Sequence, residues 1–160
     1  MVNVNKLKEL DIFSVFSGKQ LEALAAIIEK KSYKTSAQIY VIGEKAKHLF
    51  IIVKGSVSLR ELKPGDDIGV GFETIDAGDI FGCASIMEPQ NYTLTAVCLE
   101  DTEVLSIDAD KLLSLCEIDF ELGYRFMRKV AKIYMDRFDM AKTQIHEMVK
   151  TPTVITALPG

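Results

Sequence analysis

Tryptophan is absent, cysteine occurs three times and proline four times in 160 residues. The cysteines, Cys83, Cys98 and Cys116, are far apart and odd in number, no C-x-x-C pair occurs, and the two histidines, His48 and His146, are distant in sequence. Neither a disulfide framework nor a zinc site is supported by that spacing, and no metal ligands are expected. A reducing cytoplasm is the expected compartment. Apolar runs are short, as in Leu49, Phe50, Ile51, Ile52 and Val53, far below the ~20 residues of a membrane helix. The opening residues are polar and mixed, unlike a secretory signal, so no membrane partner is expected. Positive charge is not in excess either, with 19 Lys+Arg against 23 Asp+Glu. Nucleic-acid binding needs a clustered basic surface, so no nucleic-acid partner is expected for this chain alone. No Ser/His/Asp or Cys/His arrangement and no carboxylate pair at a cleft occurs, and the chain reads as a non-enzyme.

What remains is an ordinary globular composition, 48% hydrophobic and 26% charged, long enough for one domain with a real core. Residues 1–150 are read as that domain and residues 151–160, with two of the prolines, as a tail. Residues 19–30 carry Leu21, Leu24, Ala25 and Ile28 on one helical face. Ahead of them, Leu10, Ile12, Phe13 and Phe16 form an apolar stretch expected to tuck under the next module. From Lys31 to about Ile107 the period changes to two. Residues 38–42, 49–53, 92–99 and 102–107 read as strands, as do the alternations at Val57/Leu59 and at Ile68/Val70/Phe72. Pro64-Gly65 between the last two is the pairing of a type II turn, which makes them a hairpin. Seven or eight short strands at this spacing indicate a sandwich, barrel or jelly roll. The period then returns to 3.6. Asp108 is placed to cap a helix through Leu112, Leu113 and Cys116, and Asp119 to cap a long helix over residues 119–149.

The long helix carries Phe120, Tyr124, Met127, Ala131, Tyr134, Phe138, Ala141, Ile145 and Met148 at alternating spacings of four and three. A 3.5-residue apolar period sustained this long suits a partner helix. The expected partner is a second copy, giving a homodimer through the seam Met127, Ala131, Tyr134, Phe138, Ala141, Ile145 and Met148. A second stripe, Phe126, Val130 and Ile133, is expected to face the β domain and fade at Arg137. The basic residues Arg125, Arg128, Lys129 and Lys132 read as a solvated face.

One segment is unusual: Gly78-Asp79-Ile80-Phe81-Gly82-Cys83-Ala84-Ser85-Ile86-Met87-Glu88-Pro89, followed by Tyr92 and Thr93. The small residues Gly82, Ala84 and Ser85 bunch between strands, and a short helix could start near Cys83. Free N–H groups at a helix start favour an anion.

The order of elements, with Gly43 and Gly55 in the β-rich region and the G-D-x-F-G-x-x-S loop, resembles the cyclic-nucleotide-binding domain. That module occurs in bacterial catabolite-activator-type regulators and in cyclic-nucleotide-dependent kinases and channels. The matching stretches are Leu10-Asp11-Ile12-Phe13-Ser14-Val15-Phe16, Ile39-Tyr40-Val41-Ile42-Gly43-Glu44, His48-Leu49-Phe50-Ile51-Ile52-Val53-Lys54-Gly55 and Gly78-Asp79-Ile80-Phe81-Gly82. The resemblance spans about residues 7–149. It implies a mainly β fold, a double-stranded β-helix or jelly-roll β-roll with flanking helices and a long C-terminal dimerisation helix. It implies a regulatory ligand-sensing function in which the cassette Phe81, Gly82, Cys83, Ala84, Ser85, Tyr92 and Thr93 holds the ligand and a hinge near Cys116 to Asp119 relays it.

The sequence departs from the family's ligand chemistry. The family's cassette carries a Glu for the ribose hydroxyl where Cys83 stands, and an Arg for the cyclic phosphate where Tyr92 stands. Lys and Arg are absent from residues 81–99 altogether. Each hydrogen bond to a charged group is worth ~1.5–3 kcal/mol, so the two substitutions together should weaken cyclic-nucleotide binding by roughly 10²- to 10⁴-fold. The ligand expected is therefore a weakly held cyclic nucleotide or another small anion near Ser85. The competing reading is a ligand-free dimerisation or docking module with a degenerate pocket. If no anion occupies the cassette, the Tyr92 ring with Met87 is expected to fill the ligand volume. No cofactor is expected. A heme on Cys83 is disfavoured because no His lies near it in the loop.

Overall fold

The computed structural model describes residues 1–150; the tail expected at residues 151–160 lies outside the described residues. The chain forms two compact units, residues 1–123 and the stretch from Tyr124 onward. No helix among the described residues is long and apolar enough to cross a membrane.

The first unit opens with a short helix α1 (Val4–Leu7) and a 3-10 turn at Asp11–Phe13 that buries Ile12 and Phe13. Helix α2 (Gly18–Ala25) starts at a capping box. The Ser17 hydroxyl accepts from the Gln20 amide at 3.2 Å, and the Ser17 amide donates back to Gln20 Oε1 at 3.1 Å. Leu21, Leu24 and Ala25 are buried as the helical spacing requires. The helix does not run to Lys30. It ends at Ala25 with Ala26 as its C-cap, and Ile28 begins strand β1 (Ile28–Tyr33). The open edge of β8 decides this. It offers rungs from Ile28↔Ile107 to Tyr33↔Thr102 and an ion pair of Lys30 with Glu103 at 2.7 Å. A continued helix would leave that ladder unmade.

Seven further strands follow: β2 (Gln38–Tyr40), β3 (His48–Lys54), β4 (Val57–Glu61), β5 (Val70–Ile75), β6 (Ile80–Phe81), β7 (Thr95–Cys98) and β8 (Thr102–Asp108). They make two antiparallel sheets, in the orders β1-β8-β3-β6 and β2-β7-β4-β5. This is the β-roll the resemblance implies. Tyr40, Phe50, Ile52, Val57, Phe81 and Val104 belong to one buried cluster. Strand β3 is apolar on both faces because both are covered: Phe50 and Ile52 enter that cluster, and Leu49 and Ile51 are fully buried on the opposite side.

The expected turn is present. Gly65 has φ +95° and the Asp66 amide donates to the Lys63 carbonyl at 3.0 Å. The apolar alternation after it behaves differently from a core strand. Ile68, Val70 and Phe72 are 71%, 62% and 59% exposed. A register shift between Leu59 and Arg60 leaves Phe72 without a cross-strand partner on this edge strand.

Asp108 caps α3 (Ala109–Ile118), its carboxylate accepting from the Lys111 amide at 3.0 Å. Asp119 then breaks the helical path. Its Oδ1 accepts from the Leu122 amide at 3.0 Å, capping α4 (Phe120–Val149), and its Oδ2 accepts from Gln20 Nε2 at 3.2 Å. The expected hinge is thus tied to α2 by one side chain.

The second unit is the body of α4. Its 30 residues correspond to about 45 Å at ~1.5 Å per residue. Tyr124, Tyr134, Phe138, Ile145 and Met148 are exposed, as are Ala131 and Ala141, while Met127 is half-buried. Phe126 and Val130 are buried and Ile133 is half-buried.

Candidate ligand-binding cassette

The cassette begins where β6 ends. Phe81 is fully buried and pairs with Phe50 of β3. Gly82 turns the chain with φ +78° into a 3-10 turn, Cys83–Ile86. A Cβ at Gly82 would lie 3.1 Å from the His48 carbonyl oxygen and 3.2 Å from the Phe50 ring. Both the positive φ and the close backbone therefore call for glycine here. The short helical turn foreseen near Cys83 is present. Cys83 is buried and Ala84 half-buried. The Ser85 hydroxyl, also buried, donates to the Gly82 carbonyl at 2.8 Å and closes the turn on itself.

After the turn the chain does not enter a strand at Tyr92. Strand β7 starts at Thr95. Residues 90–92 instead pair with the β2–β3 connection. The Ala46 amide donates to the Gln90 carbonyl at 2.8 Å, the Tyr92 amide to the Glu44 carbonyl at 2.9 Å, and the Gly43 amide to the Tyr92 carbonyl at 2.8 Å. This pairing turns the Tyr92 side chain inward, and it is 6% exposed. Its ring stacks on Tyr40 with centroids 3.6 Å apart and planes within 9°. Tyr40 lies against Phe50 and Phe81, completing an aromatic cluster under the cassette. The Tyr92 hydroxyl donates to the His48 carbonyl at 2.6 Å and accepts from the His48 amide at 3.2 Å. Burial pushes the phenol above its ordinary pKa, and the Glu44 carboxylate adds to this.

Of the sequence-derived site residues, Phe81 ends β6, Gly82, Cys83, Ala84 and Ser85 form the turn that follows it, and Tyr92 stacks in the aromatic cluster with Tyr40, Phe50 and Phe81. Thr93 is exposed. Met87, expected to help close the pocket, is 47% exposed. Sequence reading missed Thr95. Its buried hydroxyl donates to the Leu62 carbonyl at 2.7 Å and accepts from the Ile42 amide at 3.0 Å. It also missed the role of Tyr40, although an aromatic between Ile39 and Val41 was a visible signal.

The model of the cyclic nucleotide-binding domain matches residues 30–119. The chain belongs to the cyclic nucleotide-binding domain family. A crystal structure of a candidate cyclic nucleotide-binding protein from Geobacter metallireducens GS-15 superposes with a TM-score of 0.77 at 27% identity, covering 86% of this chain and 99% of that one. The chain is 28% identical over 118 residues to the cAMP-activated global transcriptional regulator Vfr of Pseudomonas aeruginosa, covering 71% of this chain and 54% of that protein. It is 24% identical over 121 residues to a CRP-like cAMP-activated global transcriptional regulator of Mycobacterium tuberculosis, covering 74% of this chain and 54% of that protein. The chain thus spans about half the length of the curated relatives it matches.

Proposed function

We propose that this cyclic nucleotide-binding-type domain is a non-catalytic regulatory module, cytoplasmic and homodimeric through α4, whose cassette holds cyclic AMP and cyclic GMP weakly or not at all. One observation carries the reading. Tyr92, standing where the family resemblance places the phosphate-binding Arg, is turned into the roll, stacked on Tyr40, with its hydroxyl engaged by the His48 backbone. Cys83, in place of the ribose-binding Glu, is buried and offers no carboxylate. A small anion at the cassette would meet no Lys or Arg from residues 81–99.

Isothermal titration of the chain with cyclic AMP and cyclic GMP tests this. A site that would be micromolar with both charged partners should fall to about millimolar without them. Cys83→Glu with Tyr92→Arg should recover at least about tenfold in affinity, or ~1.4 kcal/mol. Sub-micromolar binding by the unmodified chain overturns the reading. The second reading, a ligand-free dimerisation or docking module, is favoured by the same internal satisfaction of Tyr92. It predicts no heat with either nucleotide or with phosphate, sulfate or carboxylate anions.

A further inference from the structure

Tyr92 reaches further than the cassette. Its hydroxyl accepts from the His48 amide. The carbonyl of the same peptide group, that of Lys47, accepts from the Ala109 amide at 2.9 Å. Ala109 is the first residue of α3, and the preceding residue, Asp108, both pairs with His48 in the β3–β8 ladder and caps the helix. A single peptide plane, Lys47–His48, therefore has the cassette's tyrosine on its N–H and the start of the hinge helix on its C=O. Peptide resonance links those two groups, so a bond made to one strengthens the bond made by the other. The plane is planar and stiff, so a tilt at one end is a tilt at the other. The backbone of Tyr92 is bound to Gly43 and Glu44 of the same connection, which leaves the hydroxyl as the contact that reaches the peptide itself.

We propose that Tyr92 is a latch, a positioning residue that transmits the state of the cassette to the N-terminus of α3 through the Lys47–His48 peptide. With the ring seated on Tyr40, the latch is closed and Ala109 is held. Withdrawal of the ring, by whatever enters the cassette, releases the peptide and loosens the first turn of α3, which leads directly into the hinge at Asp119. The proposal rests on reading the cassette as the sensing element. Its test uses no ligand, so a calorimetric titration that fails the functional reading leaves the latch standing, and the reverse also holds.

The test is native-state hydrogen exchange of the full chain, resolved by residue. In the wild type, the His48 and Ala109 amides should open together as sub-denaturing guanidinium is raised, as members of one cooperative unit. Tyr92→Phe keeps the ring and removes the hydroxyl. It should speed exchange at Ala109 and Lys111 by about three- to tenfold, while amides in the middle of β8 stay unchanged. An unchanged Ala109 in a folded Tyr92→Phe chain overturns the latch, because packing alone would then hold α3. Independent opening of His48 and Ala109 in the wild type overturns it as well, an outcome that can be read even if the variant does not fold, while the Tyr92→Phe acceleration at Ala109 is what separates the latch from the β3–β8 ladder alone.

Discussion

Two glutamates in the α4 seam, Phe138→Glu with Ile145→Glu, should dissociate the proposed homodimer. Phe138 and Ile145 are 64% and 60% exposed on the single chain, so more than half of each side chain is available to a partner. Full burial of such a side chain is worth ~1.5–3 kcal/mol, and the exposed share brings this to roughly 1–2 kcal/mol each. Two-fold symmetry doubles the count to four side chains, so the apolar loss alone is on the order of 4–8 kcal/mol per dimer. Both positions fall on the same heptad site, one heptad apart. In a parallel pair each glutamate would therefore face its own copy across the seam, which adds like-charge repulsion. A loss of 4 kcal/mol is about three decades in Kd, enough to take a micromolar dimer to millimolar. Sedimentation equilibrium reads this directly, with circular dichroism verifying that the β-roll persists. Thr143→Glu, on an exposed face outside the seam, is the control and should leave the dimer intact. A wild-type chain that sediments as a monomer at tens of micromolar, or a double variant that stays dimeric, refutes the reasoning.

Gly82→Ala should destabilise the chain by ~1–3 kcal/mol in chemical denaturation, because the left-handed backbone and the His48 carbonyl 3.1 Å from the new Cβ both oppose it. Asp119→Ala should cost ~1 kcal/mol through the lost α4 cap, with extra loss from the abandoned Gln20 bond; a variant as stable as wild type would show that neither bond stabilises the fold. Asp101 accepts from the Thr35 amide, from Lys34 and from the Thr35 hydroxyl, which hold its pKa at about 2 against an ordinary 3.8. A depressed carboxylate stabilises the fold above its unfolded pKa, and that contribution is lost as pH falls from 3.8 through about 2. Carboxyl-carbon NMR should show Asp101 titrating near the lower value, and Asp101→Asn should flatten the acid limb of stability over that window.

The local part of this fold was legible in the residues themselves. Pro64-Gly65 specifies its turn because proline and glycine set the two dihedrals a type II turn needs. Asp108 and Asp119 specify helix starts because their carboxylates reach backbone amides only three residues on. The heptad stripe of α4 is legible for the same reason, since its pattern is internal to one helix. The misreadings were all decided by distant partners. Ile28 fits the helical face of Leu21, Leu24 and Ala25, and only the edge of β8, some eighty residues on, makes it a strand. Ile68, Val70 and Phe72 alternate as a core strand would, but all three are exposed: Ile68 lies ahead of β5, Val70 begins that edge strand, and a register shift leaves Phe72 without a cross-strand partner. Tyr92 looked like the first residue of a strand until the β2–β3 connection supplied its backbone partners.

Cys83 and Tyr92, standing on the proposed reading where the family resemblance places a Glu and an Arg, also change what the roll requires in order to be stable. A carboxylate and a guanidinium in a water-poor cassette need partners, and a nucleotide's ribose and phosphate supply them; without ligand each costs several kcal/mol or must stay hydrated. A cassette built that way keeps an open, wet site. Cys83 asks for nothing comparable, since a buried thiol behaves as a small hydrophobe. Tyr92 needs one partner for its hydroxyl and finds it in the His48 backbone, while its ring gains the Tyr40 stack. On the proposed reading the roll needs no ligand to be complete, and a molecule entering the cassette would first displace a ring that is already well paired. Tyr92→Ala separates the two consequences of that arrangement. Deleting a buried aromatic should cost ~3–5 kcal/mol, and it should leave a ring-sized void beside Tyr40. Small planar solutes such as phenol or indole should then raise the thermal midpoint of the variant and not of the wild type, by linkage to the folded state. Equal stabilisation of both chains, or of neither with the variant folded, would mean that Tyr92 does not occupy the space a ligand would need.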